Sequence, residues 1–230
     1  MRRFLTQAHP VLSRASLLLA IAATVFATNP AHAQAPMQVL DASALHPPAG
    51  SHVAIVEFDD LQCPACAMAN PTLKAAAAKY NIPWVRHDFL IPYHNWSRIA
   101  AINARWFDLK TKGLGDEYRD EVFASQTSIY NPDTLAQFTQ KFAQSHGVAL
   151  PFAVDPQGKL ASAVDADTDL GHRMGIKSTP TIFIVTSGGK GAPYTQVMNP
   201  SQQLYTDIDQ AIASTPSAPK ATVAKKSGGK

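Results

Sequence analysis

The sequence predicts an α/β domain: a central mixed sheet flanked by helices, with an all-helical insertion between the two halves of the sheet. Three observations carry this reading. Short β-prone runs fall in two separate groups, Val53–Phe58 with Pro83–Phe89, and Thr181–Thr186 with Tyr194–Met198. Helical periodicity joins the first two runs and fills residues 95–175 between the groups. The only two cysteines, Cys63 and Cys66, bracket Pro64-Ala65 where the first strand gives way to the first helix.

Taken in order, residues 34–51 form a Pro/Ala/Ser-rich lead-in with a short strand expected at Met37–Leu40. Val53–Phe58 is a continuous apolar run broken only by Glu57, the pattern of a buried strand. Pro64 suits the first turn of the next helix, where its missing N–H costs nothing. Along that helix Cys66, Ala69, Leu73, Ala76, Ala77 and Tyr80 recur at three- and four-residue steps, so Cys66 begins the inward face. Pro71 lies inside the helix and frees the carbonyl of Ala67, which predicts a bend. A second strand spans Pro83–Phe89. Ile99, Ile102, Trp106 and Leu109 predict the apolar face of the following helix, capped by Asn95 or Ser97. A short helix is expected at Asp116–Ala124. Another opens at Asn131-Pro132, turns Leu135, Phe138 and Phe142 inward and stops at Gly147. Asp155-Pro156 opens a helix toward Gly175. Pro180 has no N–H for a central ladder, so it stands at the entry of Thr181–Thr186. Ser187-Gly188-Gly189 joins that strand to its hairpin partner, and a last helix after Pro200 turns Leu204, Ile208 and Ile212 inward.

The N-terminus reads as a cleavable export signal covering residues 1–33. Arg2, Arg3 and Arg14 precede or flank the apolar stretch Ser16–Ala27, and Ala31-His32-Ala33 fits the small-x-small cleavage pattern. Export places the cysteines where disulfides form and persist. The charge of the 230-residue chain, 20 basic against 17 acidic residues, changes with that cut: without the three arginines it is 17 against 17. Lys220, Lys225, Lys226 and Lys230 all lie in a low-complexity tail at 215–230 that is expected to be disordered, leaving residues 34–214 with 13 basic against 17 acidic residues. A slightly acidic domain excludes nucleic acid as a partner on charge grounds.

A thiol at a helix start faces unpaired N–H groups and the positive end of the helix dipole, both of which favour thiolate. Thiolate is the species that attacks disulfides. A structural zinc site needs four protein ligands, and no second cysteine pair exists, so no metal and no cofactor are expected. A structural disulfide here closes so short a loop that it removes little unfolded-chain entropy. The pair therefore reads as a redox-active dithiol.

Glu-Phe-x-x-x-x-Cys-Pro-x-Cys at residues 57–66, the strand exit from Asp88-Phe89 to His94, the helical block and Ser178-Thr179-Pro180-Thr181 together resemble the DsbA-like family of exported thiol–disulfide oxidoreductases, over roughly residues 50–214. The resemblance implies a thioredoxin-like fold at 52–214 with the helical insertion at about 95–175. It implies Cys63 as nucleophile, Cys66 as resolving thiol and Glu57 as a buried acid that relays protons to Cys66; a carboxyl at the solvent-facing end of the strand is the alternative for Glu57. Pro64, Ala65, Thr179 and Pro180 are expected to meet substrate, with Thr179-Pro180 matching the family's cis-proline dipeptide. The family's most oxidising members carry His where this chain has Ala65, so a potential between about −270 and about −120 mV is expected. Asp59 and Asp60 read as loop acids, His87 and His94 as structural or surface groups, and Trp84, Trp96 and Trp106 as core or rim. The implied partners are thiol-containing exported proteins or peptides and a membrane redox partner, a quinone-linked oxidase or a thiol reductase. The leading function is a periplasmic thiol–disulfide oxidoreductase. An envelope thiol reductase kept reduced by a membrane donor, or a non-catalytic thioredoxin-fold binding module, remain as alternatives.

Overall fold

The computed structural model describes residues 35–215. The signal reading at 1–33 and the tail reading beyond Thr215 lie outside the described residues. Four strands form one sheet: β1 (Val53–Asp59), β2 (Trp84–Asp88), β3 (Thr181–Thr186) and β4 (Tyr194–Val197), in the order β2-β1-β3-β4. β1 runs parallel to β2 and antiparallel to β3, and β3 and β4 are an antiparallel pair. A parallel pair needs a crossover, which α1 (Pro64–Tyr80) supplies. Between β2 and β3 lie α2 (Ser97–Lys110), α3 (Leu114–Ala124), α4 (Pro132–Ser145) and α5 (Lys159–Met174), and α6 (Pro200–Ser214) follows β4.

Strand alternation divides β1 between two cores. Val53 and Ile55 pack with Ile182 and Ile184 against Ala69, Leu73 and Ala76 of α1 and Leu204 and Ile208 of α6. Ala54, Val56 and Phe58 face the other way, with Phe183 and Val185, onto Met174, Ile176 and the lead-in. Every residue of β1 is buried, as a central strand covered on both faces must be. A third core lies within the helical block, around Trp96, Phe107, Tyr118, Leu135 and Phe142, and it includes Cys63 and Cys66. Inside that core Asn103, Tyr118 and Thr139 satisfy one another, with 2.7 Å between the two hydroxyl oxygens.

Several local expectations are corrected. Met37–Leu40 is not a strand; this segment lies extended, with Met37 N–H donating to the Gln196 side chain and Leu40 N–H to the carbonyl of Met174. The inward face of α2 is Ala100, Ala104 and Phe107, with Trp106 also buried, while Ile99 and Leu109 face solvent. Close approach of α2 and α3 selects small side chains at the contact, a preference that a search for bulky apolar residues misses. Neither Asn95 nor Ser97 caps α2; Trp96 occupies that position without a side-chain bond. α5 begins at Lys159, because Asp155-Pro156 forms a turn whose Asp155 carboxylate accepts from Ala161 N–H. At the end of α6 the buried residue is Ala211, and Ile212 is largely exposed.

Other signals act as read. Asn131 caps α4 through a reciprocal bond pair with Thr134, and Gly175 ends α5 in the left-handed region at φ 87°. α1 continues through Pro71 and ends at Asn81, also left-handed. Gly171 lies flat against the Phe89 ring, where any Cβ would clash.

Candidate active site

The site is assembled at the carboxyl end of β1. Cys63 is the N-cap residue of α1, in extended backbone conformation, with Pro64 in the first turn. Because β3 runs antiparallel to β1, its first residue, Thr181, pairs with Phe58, and the segment before it arrives beside the start of α1. The Thr179–Pro180 bond is cis, and the Cys63 thiol donates to the Thr179 carbonyl at 3.4 Å. Residues 116 positions apart are thus in contact.

Electrostatics separate the two thiols. Cys63 is pulled down to about 5, chiefly by the Cys66 thiol donating to its sulfur; burial opposes this, and the Thr179 side chain and the N–H groups of Cys66 and Ala65 assist. Cys66 is completely buried, and its thiol is pushed well up by burial, by its bond to Cys63 and by the charges of Asp59 and Glu57. Alkylation of reduced protein with iodoacetamide is therefore expected to label Cys63 alone near neutral pH, with a rate midpoint near pH 5. A thiol depressed in the folded state stabilises it fully above the unfolded value of ~8.5, and that contribution disappears as pH falls through about 5. Relative to Cys63→Ala, urea unfolding of the reduced protein should show an advantage at pH 8 that is gone at pH 4.

Glu57 is buried beneath this pair, which decides against the solvent-facing alternative. Its one hydrogen-bond donor is the Trp84 indole, 3.0 Å from Oε2, and the Arg86 guanidinium stacks on that indole at 3.7 Å. Burial, then repulsion from Asp59, raise Glu57 to about 8 against the pull of Arg86. Asp59 is not a loop acid but the last residue of β1, whereas Asp60 does lie in the loop that follows; both are buried, and each has a distinct setting. Asp60 accepts from the N–H groups of Gln62 and Ile91 and stands 2.9 Å from His94 Nδ1, so it shapes the loops around the thiols. Asp59 lies among buried guanidiniums, with Arg119 at 3.6 Å and Arg86 at 3.9 Å. His87 stands 3.0 Å from Asp167.

Arg86, Arg119 and Gln126 were not singled out from the sequence. Gln126, in a one-turn 3-10 segment at Gln126–Ser128, donates to the carbonyls of Leu61 and Cys63 and so ties the helical block to the loop carrying the nucleophile position. No motif announces such a glutamine. The two adjacent acids ending an apolar strand were a usable signal, since paired charges at a core strand's end call for buried cations.

An apolar groove of roughly 400 Å³ opens beside the thiols, with Ala65, Met68, Pro180, Ile182 and Met198 among its walls. Pro64 is exposed at the same end of α1. Among the described residues no cluster of three or more metal-ligating acids, histidines or cysteines occurs.

A family model described as Thioredoxin matches residues 49–189, more than half of the chain. The chain belongs to the thioredoxin family. Within that family it is similar to disulfide bond formation protein D of Bacillus subtilis, 24% identical over 148 residues that cover 57% of this chain and 63% of that protein, less than two thirds of its length. The structure of oxidised BdbD from Bacillus subtilis superposes with a TM-score of 0.58 at 19% identity, covering 78% of this chain and 97% of that one. Alpha-DsbA1 of Wolbachia pipientis gives 0.59 at 17% identity, with coverages of 73% and 89%. This thioredoxin-family chain therefore shares the fold of DsbA-like proteins, helical insertion included.

Proposed function

We propose that the protein is an exported thiol–disulfide oxidoreductase that forms or exchanges disulfides in other exported proteins through Cys63 and Cys66. The observation that carries the reading is the asymmetry of the dithiol. One sulfur sits at a helix start against the Thr179 carbonyl, in surroundings that favour its thiolate; the other is completely buried beneath it, where burial disfavours its charge.

In the oxidising direction a substrate thiolate attacks Cys63 Sγ, the Cys63–Cys66 bond breaks, and Cys66 leaves as a thiolate that takes a proton. A second substrate thiolate then attacks the substrate sulfur of the mixed disulfide and expels Cys63 as a thiolate. The helix-end N–H groups and the Cys66 thiol stabilise that leaving group. Glu57 serves proton transfer at Cys66. Thr179, with its backbone at the strand edge, pairs with an extended substrate segment, and Ala65, Pro64 and Pro180 contact it. The periplasm or another extracytoplasmic space is the proposed location, and a membrane redox protein resets the pair. Among the described residues no helix is long and apolar enough to cross a membrane. The deciding experiment is catalysed oxidation of a reduced, unfolded substrate in glutathione buffer by the wild-type protein; absence of catalysis overturns the reading and favours a binding module.

Direction depends on residue 65. Ala65 offers its N–H to Cys63 but no side-chain donor. Ala65→His is expected to lower the Cys63 midpoint and raise the reduction potential against glutathione. Unchanged values in both would show that a side chain at 65 points away from the sulfur.

A further inference from the structure

Asp59 and Glu57 stand two residues apart on β1, so both side chains leave the same face of the sheet, the face covered by α1 and Cys66. Both are buried, Asp59 completely. Around Asp59 the buried polar atoms fail to pair. Its two carboxylate oxygens, Arg86 Nε and Arg119 Nη1 all lack a hydrogen-bond partner, although the guanidiniums approach to 3.9 and 3.6 Å. The arginines spend their best bonds elsewhere: Arg119 on Asp88 at 2.8 Å, Arg86 on Asn70 and on Asp120 at 3.3 Å. Asp59 thus has cationic neighbours that compensate its charge without occupying its lone pairs. An acid bound bidentately by arginine is a poor proton acceptor; this one keeps both oxygens available.

We propose that Asp59 acts together with Glu57 in taking up the proton of Cys66 when it attacks, its own charge maintained by Arg86 and Arg119 without their occupying its oxygens. The inference rests on the thiol–disulfide reading above. With a thiol compound disulfide-bonded to Cys63, the Cys66 proton passes to the carboxylate pair, and Cys66 Sγ bonds to Cys63 Sγ. The bond from Cys63 to the compound breaks, and the compound leaves as a thiolate with the electron pair. Burial raises both carboxyls, and Glu57 is raised further by the charge of Asp59, whereas Arg119 and Arg86 oppose the rise at Asp59 and favour its ionised, proton-accepting form. The charged and titratable groups facing Asp59 are Glu57 on β1, Asp60 in the loop after it, Arg86 and Asp88 on β2, Arg119 on α3 and Cys66 on α1. Arg105 on α2 binds Asp88 at 2.7 Å, and Asp116 and Asp120 on α3 pair with Arg86.

The test loads Cys63 of the full chain with a chromogenic aromatic thiol and follows its first-order release by Cys66 between pH 5 and 9. Glu57→Gln and Asp59→Asn should each keep an inflection in the release rate, displaced to lower pH by roughly one unit or more, tenfold in ionisation. The double variant should lose that inflection and show only the rise from Cys66 itself. A Glu57→Gln profile that already matches the double variant, or an Asp59→Asn profile that superposes on wild type, overturns the proposal. Should Asp59→Asn fail to fold, Glu57→Gln alone decides: an inflection retained below neutral pH supports Asp59, and its absence overturns it. Wild-type protein that releases no thiol at all, or that fails to catalyse substrate oxidation, would instead strike the functional reading.

Discussion

Cys63→Ala is expected to abolish catalysed thiol oxidation and insulin reduction, down to the uncatalysed rate, while Cys66→Ala accumulates substrate as mixed disulfides. The two sulfurs cannot exchange roles. Cys63 is the N-cap of α1 and reaches the Thr179 carbonyl, whereas Cys66 lies one turn inward, completely buried. A substrate sulfur must reach the attacked atom, and of the two Cys63 is 8 % exposed whereas Cys66 is at 0 %. Non-reducing gels and mass spectrometry of the trapped adducts check both halves. Adducts on Cys66 in the Cys63→Ala protein, with activity retained, would reverse the assignment.

Arg119→Leu, which removes a buried cation from the helical block, is expected to cost about 3–5 kcal/mol. The side chain is buried on α3 and bridges Asp88, at 2.8 Å, to Asp59, at 3.6 Å. Burial disfavours its charge, but Asp88 and Asp59 outweigh that and hold it protonated. Leucine restores apolar volume yet leaves two buried carboxylates with less compensation. In the variant Asp59 rises further above its unfolded value, so the penalty is small near pH 4 and grows as pH rises toward the folded value. Urea unfolding at pH 5 and pH 8 should show a larger deficit at pH 8. A deficit below about 1 kcal/mol at both would mean that Asp59 and Asp88 gain compensation from Arg86 and Arg105 alone.

The Cys-Pro-Ala-Cys step, the strand-to-helix switch around it and the Thr-Pro before a β-prone run could be read directly, because each rests on local rules. Proline suits a first helical turn and a strand entry, apolar continuity marks a doubly covered strand, and three- and four-residue steps put Cys66 inward. Glu57 was legible for the same reason, as the lone acid in such a strand. The loop reading of Asp59 failed because the cations that make its burial tolerable come from β2 and α3, 27 and 60 positions after it in the chain. Likewise the face of α2 was misassigned, since alanine at a close helix contact carries little hydrophobic signal of its own.

The sequence by itself therefore determined the dithiol, its helix-end placement and the order of the main elements, all consequences of backbone geometry and residue spacing, while the burial of Glu57 was settled by the fold. Only the tertiary structure decided which thiol meets the Thr179 carbonyl, which guanidiniums enclose Asp59 and which glutamine holds the Cys63 carbonyl. Those contacts join residues far apart in the chain, and a buried charge is set by what surrounds it from every element, not by its neighbours in sequence.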